Sequence, residues 1–331
     1  MRHGPPSLRL VLAVLALLFA PAGAMAGEKK APDAPAPGRV RYGRPRRIAT
    51  LADRRIDESS GVAAGRAHPG VFWTHNDSGD AARLYAFDRQ GRRRATCTLQ
   101  GVPADDWEDI ASFRRRGRNF LVVADIGDNL RSRAECTLYV LAEPAVGTAE
   151  APLTATVPVR WTIRFVYEGG PRDCEAVGVD PATGRFYFVT KEGIRCKVFE
   201  LDVSRGPMAG APASKPAAAD RPYTARLIGE IATSPVVAMD ISPDGRRAIV
   251  LTYADAMEFV RREAETWRQA FARKPRAVVM PRRRQGEAIC YGPDGRTLYL
   301  TSEHTPTPLL EVPVLEPPVE NGKPKSVPAA K

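Results

Sequence analysis

Glu287-Ala288-Ile289-Cys290-Tyr291-Gly292-Pro293-Asp294-Gly295-Arg296-Thr297-Leu298-Tyr299-Leu300-Thr301-Ser302-Glu303-His304 consists of two short apolar runs around a Pro-Asp-Gly turn, opened by an acid and closed by Thr and polar residues. Proline presets the first torsion of such a turn and glycine accepts a left-handed one, so the two runs are expected to fold back on each other as a hairpin. The same pattern is written four times upstream. Its copies run from Ser60-Gly61-Val62-Ala63 to Val71-Phe72-Trp73-Thr74-His75-Asn76-Asp77, from Glu108-Asp109-Ile110-Ala111 to Phe120-Leu121-Val122-Val123-Ala124-Asp125, from Glu175-Ala176-Val177-Gly178 to Phe186-Tyr187-Phe188-Val189-Thr190-Lys191-Glu192, and from Val237-Ala238-Met239-Asp240-Ile241 to Ala248-Ile249-Val250-Leu251-Thr252-Tyr253. One such unit cannot bury its own apolar faces, and strands recurring at a period of roughly 50 residues are expected to stack radially as the blades of a β-propeller.

The intervals between repeat starts each hold candidates for four strands. In the second these are Ile110 to Phe113, Phe120 to Ala124, Cys136 to Leu141 and Val159 to Val166. The third offers Ala176 to Val179, Phe186 to Thr190, Lys197 to Leu201 and Ala225 to Ile231. In the fourth, Met239 to Ile241, Ala248 to Thr252, Met257 to Val260 and Ala277 to Met280 serve, with a helix over Arg262 to Ala272. Only three strands occur in the last repeat, ending at Leu309 to Val314. Arg47 to Leu51, which has no other partner, is expected to supply the fourth and to close the ring, removing an open sheet edge. The fold expected is therefore all-β, a single propeller over residues 45–314 with five four-stranded blades; a sixth would have to hide in the longer intervals.

The flanks carry other signals. Arg2, His3 and Arg9 precede an apolar run from Leu10 to Ala20, and Ala24-Met25-Ala26 offers a small-residue cleavage site, so residues 1–26 read as a signal peptide of an exported protein, periplasmic or secreted. The run is too short to span a bilayer. Residues 27–44 and 315–331, rich in Pro, Ala and charge, read as a disordered lead-in and tail, and the Pro/Ala stretch Gly206 to Pro222 as an insertion in one blade. Five cysteines in an exported chain leave one thiol unpaired. Buried thiols are the simplest expectation, with a Cys174–Cys196 bridge as the alternative.

Net charge is +11, and only nine of the 49 basic residues are Lys. The arginines are scattered through turns and tails without aromatic interleaving, which excludes a nucleic-acid module and leaves a solvated surface, an anionic partner being the minority reading. No Gly-x-Ser-x-Gly, phosphate-binding loop or His-Glu-x-x-His occurs, which removes support from serine hydrolases of that type, nucleotide-dependent enzymes and zincins.

Repeat geometry gathers two sets of residues at one mouth of the central channel. The first comprises the strand openers Ser60, Glu108, Glu175, Val237 and Glu287. The second follows the second strand of each repeat: His75, Asp125, Lys191, Tyr253 and Ser302, with neighbours that include Asn76, Asp77, Asp128, Asn129, Glu303 and His304. Like charges gathered near one axis need a cation, a lysine or protons. Oxygen donors in this number suit Ca²⁺ better than Zn²⁺. The expected ligands are Glu108, Asp125, Glu175 and Glu287 with one of Asn76 or Asn129; the competing reading gives these carboxylates structural roles and leaves Asp77-Ser78-Gly79 as loop text. His75 and His304 fall on the first and last blades, neighbours in a closed ring, and with Lys191 are the candidates for proton transfer, against a purely structural His75. Trp73 and Trp107 read as packing between blades.

The stretch Ala288 to Thr301 resembles the Gly-Ile-Ala-x-Ser-Pro-Asp-Gly-x-Thr-Leu-Tyr-Val-Thr blade text of the gluconolactonase and paraoxonase propellers. The openers in Asp106-Trp107-Glu108-Asp109-Ile110 and Cys174-Glu175-Ala176-Val177 are similar to that group and to the phytase-like esterase propellers. The resemblance implies a calcium-dependent hydrolase of a small ester, lactone or phosphoester with its metal in the channel. Most members have six blades, and this chain has Glu287 where those blades carry Asn and Ser302 where they carry Asp. A non-catalytic propeller that binds an envelope protein is the rival expectation. A monomer is expected in either case.

Overall fold

A computed structural model describes residues 40–315 except 78, 207, 209–220 and 234. The signal-peptide reading, most of the lead-in, the tail beyond Leu315 and the core of the Gly206–Pro222 insertion lie outside the described residues.

The apolar runs of the repeats become strands buried from end to end. Ser59–Ala64, Val71–Asn76, Cys174–Val179, Phe186–Thr190, Val236–Ile241, Arg247–Thr252, Ala288–Tyr291 and Leu298–Thr301 carry no exposed residue. Such burial requires sheets covered on both faces. Outer strands alternate instead: along Trp161–Tyr167 only Ile163, Phe165 and Tyr167 are fully buried.

Strand order contains five antiparallel runs of four. The first runs Ser59–Ala64, Val71–Asn76, Arg83–Asp88, Arg93–Leu99, and the second Trp107–Arg115, Arg118–Asp125, Cys136–Ala142, Trp161–Tyr167. The third is Cys174–Val179, Phe186–Thr190, Arg195–Leu201, Tyr223–Ala232, and the fourth Val236–Ile241, Arg247–Thr252, Ala256–Val260, Arg276–Val278. The fifth is Ala288–Tyr291, Leu298–Thr301, Pro308–Val312 and, from the other end of the chain, Arg46–Thr50, which pairs antiparallel with Pro308–Val312 as expected. Each inner strand packs against the inner strand of the next sheet, and Ala288–Tyr291 packs back against Ser59–Ala64.

Three features lie beyond the sequence reading. Leu153–Val157 adds a parallel fifth strand to the first sheet. Phe165 to Tyr167 pairs in parallel with Tyr223 to Ala225, joining the second and third runs into one eight-stranded sheet. Arg41–Tyr42, inside the expected lead-in, pairs with Val314–Leu315, and Val40 is buried.

Each seam between neighbouring sheets is filled by large side chains: Trp73 and Trp107 share one apolar cluster, and Phe113, Phe165, Phe186 and Phe188 share another. The helix expected over 262–272 is shorter, Trp267–Phe271. It is capped by Thr266 and Gln269 in a capping box and buries Trp267, Ala270 and Phe271. The five cysteines are free and buried, so Cys174 and Cys196 form no bridge. Among the described residues no helix is long and apolar enough to cross a membrane.

Candidate functional site

At the start of four inner strands the ladder to the second strand slips by one residue. The slips lie between Ser59 and Gly61, Trp107 and Asp109, Cys174 and Ala176, and Val236 and Ala238. The extra residue is the repeat opener each time: Ser60, Glu108, Glu175 and Val237. A bulge of this kind re-aims a side chain away from the regular alternation. Glu287 holds the corresponding place just before Ala288–Tyr291.

These openers meet. Glu108, Glu175 and Glu287 are 3%, 3% and 5% exposed. Burial, then the charges of Glu175, Asp77 and Asp106, hold the Glu108 carboxyl well above the usual carboxylate range. Lys191 donates to Glu175 Oε1 and lies 5.6 Å from the centre of the Tyr253 ring; the Tyr253 hydroxyl donates to Glu287 Oε1 at 2.7 Å. Burial pushes Glu175 up to about 8, against the pull of Lys191 and with the push of Glu287 and Asp173. The upward direction prevails because burial, the largest influence, outweighs the one ammonium, with Glu287 and Asp173 adding to it. Glu303 is pushed up to about 8 by burial and by its hydrogen bond to Glu287, with Asp77 and Glu58 adding to the effect.

Asp77, Asp106 and Glu108 make the tightest group. Carboxylate oxygens of all three lie within 4.8 Å of one another. Burial, then the Asp77 charge, raises Asp106 to about 6. Gly127 forms the floor: a Cβ there would stand 2.2 Å from Glu108 Oε1 and 2.5 Å from Asp106 Oδ2, a cradle that only a glycine leaves open. Three hard oxygen donors around such a cradle, with no imidazole or thiolate among them, suit Ca²⁺ better than Zn²⁺.

The expected ligand set is therefore only partly assembled here. Glu108 joins the tight group; Glu175 and Glu287 line the same mouth through Lys191 and Tyr253. Asp125 serves the loop instead, accepting from the backbone N–H of Asp105 and Asp106 at 3.4 and 3.3 Å and pairing with Arg133 at 2.6 Å. Asn76 is spent on its own loop, donating to Arg55 O, Asp57 Oδ1 and Asp80 Oδ2. Asn129 is exposed on the turn after Asp128. His75 is fully buried between the first and second sheets, edge-on to Trp107 at 5.8 Å with Nδ1 bonded to Asn76 O at 2.8 Å, and burial lowers its pKa. Its second strand alternates, so a residue directly in the ladder faces the seam, away from the mouth. His304 is exposed at the rim against Gln285, on a left-handed backbone with φ 67°. The two histidines do not pair. Asp77 and Asp106, which the sequence reading left unassigned, complete the group. Asp106 stands two residues before an opener, in the bend that leads into Trp107–Arg115.

Comparison with family models and with curated proteins returns no match. Among solved structures, one provisionally described as a 6-phosphogluconolactonase from Bacteroides uniformis shares 16% identity at TM-score 0.38, over 80% of this chain and 69% of that one. Another, provisionally described as a phosphatase from Bacteroides thetaiotaomicron, shares 11% identity at TM-score 0.49, over 84% and 80%. At these values neither likeness carries an activity or a blade count over to this chain.

Proposed function

We propose that the chain is an exported five-bladed β-propeller that binds Ca²⁺ through Asp77, Asp106 and Glu108 and hydrolyses a small ester, lactone or phosphoester at that mouth. The carrying observation is the meeting of these three carboxylates over Gly127, beside a second, proton-bearing group formed by Glu175, Lys191, Tyr253, Glu287 and Glu303. A bound Ca²⁺ would polarise the substrate oxygen. Water attacks the carbonyl carbon or phosphorus as the bond to the leaving oxygen breaks; Glu303 gives its proton to that leaving oxygen and is reprotonated by the one the attacking water releases, since an acid works best with its pKa near the operating pH. Lys191 supplies positive charge. Burial, the largest influence, lowers the pKa of its ammonium, but the Glu175 charge and Tyr253 outweigh it, so the group stays protonated.

The test uses purified protein with Ca²⁺ or a chelator, read by thermal unfolding and by turnover of an ester, lactone and phosphoester panel. A ligand that binds only the native state raises stability, so Ca²⁺ is expected to raise the midpoint and Glu108→Gln to abolish the rise. Glu303→Gln is expected to lower kcat about 100-fold with Ca²⁺ stabilisation intact. Identical midpoints with Ca²⁺ and chelator, and no turnover, would overturn the reading.

One observation favours a non-catalytic envelope-binding propeller. Leu130 and Ile194, on loops that follow second strands, are 87% and 80% exposed. Capture of one envelope protein, lost in Leu130→Asp, together with an inert substrate panel would establish it.

A further inference from the structure

The inner strands end at a second mouth with opposite chemistry. Phe113, Val179 and Ile241, each buried, stand at the C-terminal ends of Trp107–Arg115, Cys174–Val179 and Val236–Ile241. With Pro181, Pro243 and Ser112 they wall a cavity of about 410 Å³ that also carries Arg66, Arg114 and Arg116. From Glu108 to Phe113 is five residues of strand, roughly 17 Å, so this cavity lies across the hub from the acidic mouth.

The hub between the two mouths is filled. Asp109, fully buried, reaches from its own strand to Val177 N at 2.9 Å and to Met239 N at 3.3 Å; Asp240 bonds Tyr291 N at 2.8 Å. A ligand in the lower cavity therefore does not share the acidic site.

Two of these cations, Arg66 and Arg114, are held in place without a direct carboxylate partner, and the charge of Arg66 also acts on the buried Asp240 of the hub. Arg115 pairs with Arg118 across a two-residue hairpin turn, Arg116-Gly117, with φ 48° and 77° at its centre, the positive pair that a type I′ turn requires. The rigid hairpin presents Arg114 on the cavity wall. Arg66 approaches the Ser112 carbonyl at 3.5 Å, too far for more than a weak bond. Among the described residues neither Arg66 nor Arg114 forms an ion pair with a carboxylate, whereas many other arginines of this chain do. The volume falls within the range of small-ligand pockets, whose walls are mostly apolar with a few convergent polar groups.

We propose that this second mouth binds a small amphiphilic anion, a carboxylate or phosphate headgroup on Arg66 and Arg114 with its apolar body against Phe113, Val179 and Ile241. Guanidinium suits either headgroup through paired N–H donors.

Calorimetric titration of the full chain with octyl phosphate, octanoate, inorganic phosphate and 1-octanol tests the assignment. Saturable one-to-one binding of octyl phosphate or octanoate is expected, with phosphate and octanol each at least tenfold weaker. Arg114→Gln, an exposed substitution, should weaken the anion at least fivefold and leave the octanol response unchanged; Arg66→Gln should do the same if it folds. Glu108→Gln should leave octyl phosphate binding as it is. Octanol binding as tightly as the anions, an unaltered affinity in Arg114→Gln, or loss of octyl phosphate binding in Glu108→Gln would overturn the proposal.

Discussion

Asp109 shows at the scale of one residue how this hub is held. An inner strand has a neighbour on only one side, so the N–H groups of its other edge need acceptors where water is excluded. Asp109 supplies them to Ile110 and Val177 at 2.8 and 2.9 Å, with Met239 at 3.3 Å, and Asp240 does the same for Ile241 and Tyr291, both at 2.8 Å. An orphaned buried N–H costs about 1–3 kcal/mol. Asp109→Ala is therefore expected to lower unfolding free energy in urea by at least about 3 kcal/mol, and Asp109→Asn, which keeps one acceptor oxygen, by clearly less. Equal losses would show that volume, and not hydrogen bonding, sets the cost. Gly127 is the complementary case at the acidic mouth. A methyl group there collides with Glu108 and Asp106, so Gly127→Ala is expected to weaken Ca²⁺ stabilisation at least tenfold. Unchanged Ca²⁺ affinity in a folded Gly127→Ala protein would place the ion elsewhere.

At the scale of elements, the bulge is the device that re-aims a strand's opener, and the closing strand is the device that ends the ring. Arg46–Thr50 protects the edge of Pro308–Val312, and Arg46 pairs with Glu311 at 2.7 Å. A chain beginning at Ala52 is expected to lose about 2–5 kcal/mol relative to one beginning at Val40, from some four ladder bonds, and to aggregate with concentration through the bared edge. Matching denaturation curves and light scattering for the two would contradict that role. This closure was legible in the sequence because Arg47 to Leu51 had no partner nearby and the last repeat lacked one strand. The inner and second strands were legible because both of their faces are buried and they read as unbroken apolar runs. The parallel pairing of Leu153–Val157 and of Phe165 to Tyr167 was not legible. Those contacts depend on where long loops return, and residue patterns carry no trace of it. The openers were found through the repeat, but His75 was misplaced because alternation within its strand decides between mouth and seam. A bulge one residue long reverses that choice without leaving a residue-type signature. Asp77 closes the first repeat copy and was placed at the mouth without a ligand role, Asp106 precedes the second copy, and only the fold brings both to Glu108.

The whole molecule separates its charges along the hub, with carboxylates at the end where inner strands begin and arginines where they finish. Crowding of like charges at the first end has a thermodynamic consequence. Burial leads the causes that raise Asp106 to about 6 and Glu175 and Glu303 to about 8, whereas the same groups in an unfolded chain titrate near 4. The native state then binds more protons than the unfolded state between about pH 4 and 8. Stability of the metal-free protein must fall as pH rises through that interval, the stabilising contribution being complete below pH 4 and gone above pH 8. A divalent cation held by Asp77, Asp106 and Glu108 would compete with the protons of Asp106 and Glu108, so its effect runs the other way. Chelator-treated protein is expected to show a thermal midpoint that drops from pH 5 to pH 8. The rise on adding Ca²⁺ should be small at pH 5 and several times larger at pH 8, because at pH 5 metal binding must first displace protons. Glu303→Gln removes one of these groups and should flatten the metal-free slope without moving the pH 8 response to Ca²⁺ by much. A midpoint that climbs from pH 5 to pH 8 without metal would mean that these carboxylates are already ionised and compensated by Lys191 and Arg133, and the acidic mouth would then have no excess charge for a cation to relieve.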